Sequence, residues 1–261
     1  MSKEINTILG DIYIGKGAGK MILEDMLKAK RSIRVMSPYL SAGLIDILLE
    51  RLRFGVHIEL VTSDDIEDHK HADKNCYHII KQHKHVDEEL KNKKQFFHWV
   101  GIGLMIVFGF FAATKLSGVL SPSIELPDII QFSVFAILAL IGRFTWKHAD
   151  GINFWYYSYS SLFPIKIFYS YFSRKKHDRS KAFNLHSKLY IIDDRIAYLG
   201  SVNFTRSGCS FNHETRIRIT DPEAIHQLKE EFEELLSNDY YNHRSVDEWG
   251  RELYEGWSDN F

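Results

Sequence analysis

The segment "NLHSKLYIIDDRIAYLGSVNFTRSG", Asn184 to Gly208, reads as two short apolar strands joined by a charged turn. Side chains alternate between the two faces of a strand. His186 and Lys188 therefore fall on one face of the first strand, together with Tyr190 and Ile192. An imidazole and an ammonium converging on one spot suit attack on an anionic substrate. The pattern occurs once in the 261 residues, so one chain supplies one such pair.

The rest of the chain sets the frame. Its length holds one large domain, or a domain with an appendage. A formal charge of −1 gives no global basic field, so any attraction for anions is local. Cys76 and Cys209 have neither disulfide-framework nor metal-type spacing and read as reduced thiols. The opening "MSKEINTILG" lacks a basic segment followed by an apolar run, so no cleavable signal is expected.

Residues 7–63 alternate strand and helix patterns. "TILGDIYIG", "SIRVMSPYL" and "VHIELVTS" read as strands, with helices near 19–30 and over "AGLIDILLERL". Such alternation implies a parallel or mixed sheet covered on both faces. Gly10 to Lys16 matches phosphate-loop spacing as far as its lysine, but Gly17 replaces the magnesium-binding Ser or Thr. Gly15, Gly17 and Gly19 also miss the dinucleotide fingerprint, so the cluster is read as a flexible turn opening a helix.

From 68 to 95, apolar positions Ala72, Cys76, Ile79, His83, Val86 and Leu90 step by three and four, predicting an amphipathic helix with a narrow seam. Its histidines (His69, His71, His78, His83, His85) lack partners of metal-site geometry and read as a solvated face. "FFHWVGIGLMIVFGFFAAT", Phe96–Thr114, carries no formal charge. At about 1.5 Å per residue it approaches the ~30 Å of a bilayer's hydrocarbon core. "IIQFSVFAILALIG", Ile129–Gly142, is a second apolar run, and aromatic residues at the rims favour a transmembrane hairpin. Lys91, Lys93 and Lys94 before it, and Arg143 and Lys147 after it, place both flanks in the cytoplasm by the positive-inside rule.

The aromatic group Trp155–Tyr159 suits either a headgroup layer or a core. "IKIFYS" reads as a strand. The basic run Arg174, Lys175, Lys176, Arg179 and Lys181 precedes the His/Lys strand and is a candidate phosphate-attracting, substrate-binding segment. "HETRIRIT" alternates as a strand, and Asp221 caps a helix with Pro222 at its first position. The chain thus divides into a first α/β part (1–67), an amphipathic helix (68–95), a membrane hairpin (96–146), a second α/β part (147–240) and a C-terminal tail (241–261) that is given no function.

His186, Lys188 and Asp193 have the spacing His-x-Lys-x4-Asp; Ser201 and Asn203 follow in "GSVNFT", and Glu214 lies on the next strand. Together these resemble the HKD signature of the phospholipase D superfamily, and "AKRSIRVMSPYL" and "FGVHIELVTSDD" resemble its first strand–helix–strand unit. The resemblance spans roughly 7–64 and 164–237. It implies an α/β fold with a mixed sheet flanked by helices, here interrupted by the two-helix hairpin.

Displacement at a phosphodiester needs a nucleophile, a donor for the leaving oxygen and positive groups on the remaining oxygens. His186 is the candidate nucleophile, forming a phosphohistidine. Lys188 and the Asn203 amide hold equatorial oxygens, Ser201 adds a hydrogen bond, and Glu214 orients a histidine ring. The resemblance implies that Asp193 is mainly structural, away from the phosphate. One histidine cannot stand on both sides of an in-line displacement, so a homodimer is expected, with two His186 rings facing across a twofold axis. No metal or cofactor is expected. Three functions follow: a phospholipase D or phosphatidyltransferase on membrane glycerophospholipid, a membrane-tethered nuclease, whose substrate is nucleic acid, and an interaction scaffold with a vestigial site. The lipid reading is preferred.

Overall fold

The computed structural model describes residues 10–64, 76–117, 128–169 and 183–258. The basic run at 174–181 lies outside them, as do most of the polar stretch before residue 76 and the connection 118–127. The chain forms two compact units, residues 84–157 and the remainder.

The larger unit is built on an eight-stranded mixed sheet. Its strands are β1 (Gly10–Lys16), β2 (Ser32–Met36), β3 (His57–Ser63), β6 (Ile165–Phe168), β7 (Leu189–Ile192), β8 (Ile196–Gly200), β9 (His213–Ile219) and β10 (His243–Arg244). Their spatial order is β1-β9-β8-β7-β2-β3-β6-β10. The centre, β2-β3-β6, is parallel; β7, β8, β9 and β1 continue it as an antiparallel meander.

All five residues of β2 and all four of β7 are buried, as strands covered on both faces must be. One face takes Ile33, Val35, Tyr190 and Ile192 into a core with α1 (Lys20–Lys28) and α2 (Ala42–Arg53). The other takes Met36, Leu189 and Ile191 under α6 (Pro222–Ser237), which contributes Ala224, Ile225, Leu228 and Phe232. As expected, the Asp221 side chain caps α6, accepting the Ala224 N–H at 3.0 Å.

The C-terminal stretch, read from sequence as a tail without assigned function, is built into the larger unit. β10 pairs with β6, and α7 (Val246–Ser258) buries Trp249 and Leu253 in the first core. Tyr254 donates to the Ile80 carbonyl at 2.9 Å. Isolated aromatics in a polar sequence carry little periodicity, so the sequence does not show what this segment packs on.

The helix expected over 68–95 is present from Glu88, where it runs on into the first apolar helix, but not over Cys76–Val86; residues 68–75 lie outside the described ones. A 3-10 turn (Cys76–Ile79) leads into β4 (Ile80–Val86), which pairs with β5 (Trp155–Ser161) as a two-stranded ribbon. Steps of three and four coexist there with Ile80 and Val86, the only apolar residues of "IKQHKHV", at even spacing. The outcome is decided by burial of Ile79 and Ile80 beside Tyr159 and Trp249, a tertiary effect. β5 also divides the aromatic group: Trp155, Tyr156 and Tyr157 are exposed, whereas Tyr159 packs on the core.

The smaller unit is a helical hairpin. α3 (Glu88–Ser117) and α4 (Asp128–Asp150) run antiparallel, with Phe111 against Phe135, Gly101 against Gly142 and Phe97 against His148. A Cβ on Gly101 would stand 3.2 Å from the Gly142 carbonyl oxygen, so the missing side chain lets the backbones approach. Met105, Ile106, Phe110, Leu140 and Phe144 point outward, each more than half exposed. Among the described residues one helix, Glu88–Thr114, is long and apolar enough to cross a membrane. Both helices extend past the expected hairpin bounds of 96 and 146.

If α7 belongs to the core, Trp249→Ala loses a fully buried indole. It should cost about 3–5 kcal/mol, read as a lower urea midpoint at unchanged slope.

Candidate active site

The site is assembled at the end of the sheet where β2 stops and β7 starts, since Met36 pairs with Leu189 in antiparallel register. His186 and Lys188 lie in an extended segment just before β7, not within the strand, because ladder pairing begins only at Leu189. Lys188 is 6% exposed and His186 is exposed, so the lysine rises from the core towards a surface imidazole. Lys188 Nζ lies 3.1 Å from His186 Nδ1 and donates to the His186 carbonyl oxygen at 2.6 Å. Burial pulls the Lys188 pKa below the ordinary 10.5, while the Glu214 charge works to raise it.

The segment carrying Ser201 and Asn203 is pinned from below. The buried Tyr190 hydroxyl donates to the Val202 carbonyl at 2.7 Å. Ser37 Oγ, in the turn after β2, accepts the Phe204 N–H at 2.9 Å. Thr205 then caps a short helix, α5 (Arg206–Ser210). Gly200 permits the approach: it has φ +155°, and a Cβ there would stand 2.0 Å from the Thr215 carbonyl oxygen.

Ser201 Oγ donates to the Glu214 carboxylate and accepts the Thr215 N–H at 3.0 Å. Asn212 Nδ2 donates to the other Glu214 oxygen at 3.2 Å. Sequence reasoning missed Asn212, Ser37 and Tyr190, whose roles follow from register and turn geometry. The hydrogen bonds of Glu214 thus go to Ser201 and Asn212, where a bond to histidine was expected. Asn203 Oδ1 is buried and has no hydrogen-bond partner, leaving an acceptor that an incoming donor could satisfy. Cys209 lies beneath, its thiol pushed up to about 12 by burial and then by Glu214, so it is an inert core group.

Asp193 is separate from this cluster. It opens the β7–β8 turn, with φ +55° at Asp193 and +54° at Asp194. Its carboxylate accepts the N–H groups of Lys30 (3.0 Å), Arg31 (2.6 Å) and Ser32 (3.0 Å). Burial raises its pKa, but these bonds, Arg31 foremost, together outweigh it and hold the carboxyl below its ordinary value. Among the described residues no group of three or more His, Cys, Asp or Glu side chains is arranged to hold a metal ion.

Residues 159–236, which include His186, Lys188, Ser201, Asn203, Asn212 and Glu214 but not Ser37, match the family model described as cardiolipin synthase, PLD-like domain. That segment resembles a phospholipase D-like domain. It is similar in fold to NucT from Helicobacter pylori, at 11% identity and TM-score 0.43, covering 88% of this chain and 96% of that one. It is likewise similar to Nuc from Salmonella typhimurium, a phospholipase D family member, at 12% identity and TM-score 0.41, covering 90% and 98%. Phosphatidylserine synthase from Haemophilus influenzae aligns at 13% identity and TM-score 0.43, covering 99% of this chain and 47% of that one. The search of curated proteins gave no match.

Because the Asp193 pKa is lowered on folding, its stabilisation is present above the unfolded carboxylate value and lost as pH falls through the folded one. Asp193→Ala should destabilise the domain by about 1–3 kcal/mol at neutral pH, from N–H groups left unsatisfied. The difference from wild type should shrink in acid, measured by urea melts at several pH values.

Proposed function

We propose that this chain is a membrane-anchored phosphodiester-cleaving enzyme of phospholipase D type, acting on glycerophospholipid by hydrolysis or transfer at a homodimeric site. The observation that carries the reading is the buried Lys188 ammonium set against the exposed His186 imidazole, beside the Ser201–Glu214 pair. The phospholipase D-like match supports phosphodiesterase or phosphatidyltransferase chemistry. The exposed apolar surface of α3 and α4 supports lipid as the medium, and α3 is long and apolar enough to cross a membrane. In this reading α4 is the returning span, with both flanks cytoplasmic by the positive-inside rule.

An ammonium can only donate, so at rest Nδ1 accepts and the ring proton sits on Nε2. A phosphate oxygen draws Lys188 away, solvent at the exposed ring takes the Nε2 proton and returns one to Nδ1, and the Nε2 lone pair is freed. Nε2 attacks phosphorus and forms the P–N bond as the P–O bond to the leaving group breaks. The partner's His186, as the imidazolium, delivers its Nε2 proton to that oxygen and is left neutral. Water or an alcohol then attacks phosphorus, gives its proton to the partner's His186, and the P–N bond breaks. Lys188 and the Asn203 amide hold the equatorial oxygens, and Glu214, held by Ser201 and Asn212, stabilises an imidazolium.

The reconstituted full chain should release a headgroup, or exchange it for a primary alcohol, in the presence of chelator. His186→Ala should abolish this, and Lys188→Ala should reduce turnover about 10²–10³-fold. Cleavage of single-stranded DNA with lipids left intact would replace the lipid reading by the nuclease one; absence of both activities would leave a scaffold.

Lys188 must be cationic to hold phosphate. Activity should therefore fall on the alkaline side below the ordinary lysine value of 10.5. Lys188→Arg should push that limb upward in a pH–rate profile, whatever its effect on maximal rate.

A further inference from the structure

The hairpin unit gathers its charges and rings at one end. Lys84 Nζ stands 4.5 Å from the Trp155 ring centroid, and His85 stacks on Tyr156 at 5.1 Å. Lys94, in the second turn of α3, lies 5.4 Å from the Phe154 ring and donates to the Ile152 carbonyl at 3.4 Å. Asp87 fastens ribbon to helix: its N–H donates to the Phe154 carbonyl at 2.8 Å, and its carboxylate caps α3 through the Leu90 N–H at 3.0 Å.

Three of the four carboxylates at this end are engaged internally, while Glu89, in the first turn of α3, is exposed. Asp87 is a cap, Glu88 pairs with Lys91 at 3.0 Å, and Asp150 with His98 at 3.0 Å. Lys84 and Lys94 lie over rings, where an ammonium keeps N–H groups free for an anion. Trp155, Tyr156 and Tyr157 stay exposed beside them. Rings with polar tips next to surplus cations, rigidly joined to an apolar helix, match the chemistry of a headgroup layer.

We propose that this end of the hairpin, Lys84, Lys94 and the Trp155–Tyr157 strand, is a binding surface for anionic phospholipid headgroups. The proposal rests on reading α3 as a membrane helix but not on the reaction assigned to His186. The surface sets the depth of the hairpin and gathers anionic lipid around it.

The test uses the full chain reconstituted in phosphatidylcholine vesicles containing phosphatidylglycerol. Trp155 emission is taken as wild type minus Trp155→Phe. It should be quenched by a nitroxide just below the headgroup, more strongly when phosphatidylglycerol carries the label than when phosphatidylcholine does. Lys84→Ala, which keeps the tryptophan, should lower that preference about fivefold, the worth of one cation at an anionic surface. Equal quenching by both labelled lipids would overturn the proposal. So would an unquenched Trp155 while the tryptophan added by Phe110→Trp, well inside the apolar run of α3, is quenched from deep in the acyl chains; the span would then stand without the surface. If the Phe110→Trp indole too is unquenched, span and surface fall together.

Discussion

One carboxylate joins the two halves of this chain. Asp193, in the turn after β7, takes three successive N–H groups at the entry to β2, more than 160 residues earlier in sequence. Those donors would otherwise face the end of a strand without partners. Its neighbour Asp194 pairs with the buried Arg34 of β2 at 2.5 Å and with Lys229 of α6 at 3.2 Å. The β2–β7 contact is thereby fixed in register, and with it the site at the opposite end of the same pair of strands. The third residue of the motif is remote from His186 and Lys188 because its work is at the other end of the ladder.

At the site end, rigidity comes from buried hydroxyls. Tyr190 and Ser37 hold the backbone around Asn203, and Gly200 lets β8 press against Thr215. These contacts leave the polar side chains of Ser201 and Glu214 little freedom, so their spacing is set before any substrate arrives.

Much of this was legible in the sequence. The strands and helices of 10–63, the β7–β8 pair, β9 and the capped α6 follow from periodicity, Gly and Pro punctuation, and a Ser-Pro turn. The site residues follow from the motif spacing and the downstream glutamate. What was not legible depends on contacts distant in sequence. "IKQHKHV" satisfies helix and strand periods alike, and only packing of Ile79 and Ile80 selects the strand. His186 and Lys188 sit before the strand because pairing register is set by β2. Asn212 became visible only when Glu214 was found turned towards Ser201 and Asn212 instead of a histidine.

The parallel neighbours β3 and β6 are separated in sequence by residues 64–164, so the whole hairpin is contained in one crossover between adjacent strands. A chain emerging from the ribosome makes β1, β2 and β3 first, yet β3 has no second neighbour until β6 appears, and β1 none until β9. The apolar helices are synthesised during that interval. Nascent chains must therefore carry an open sheet edge while their apolar helices are being made, a stage at which self-association competes with closure.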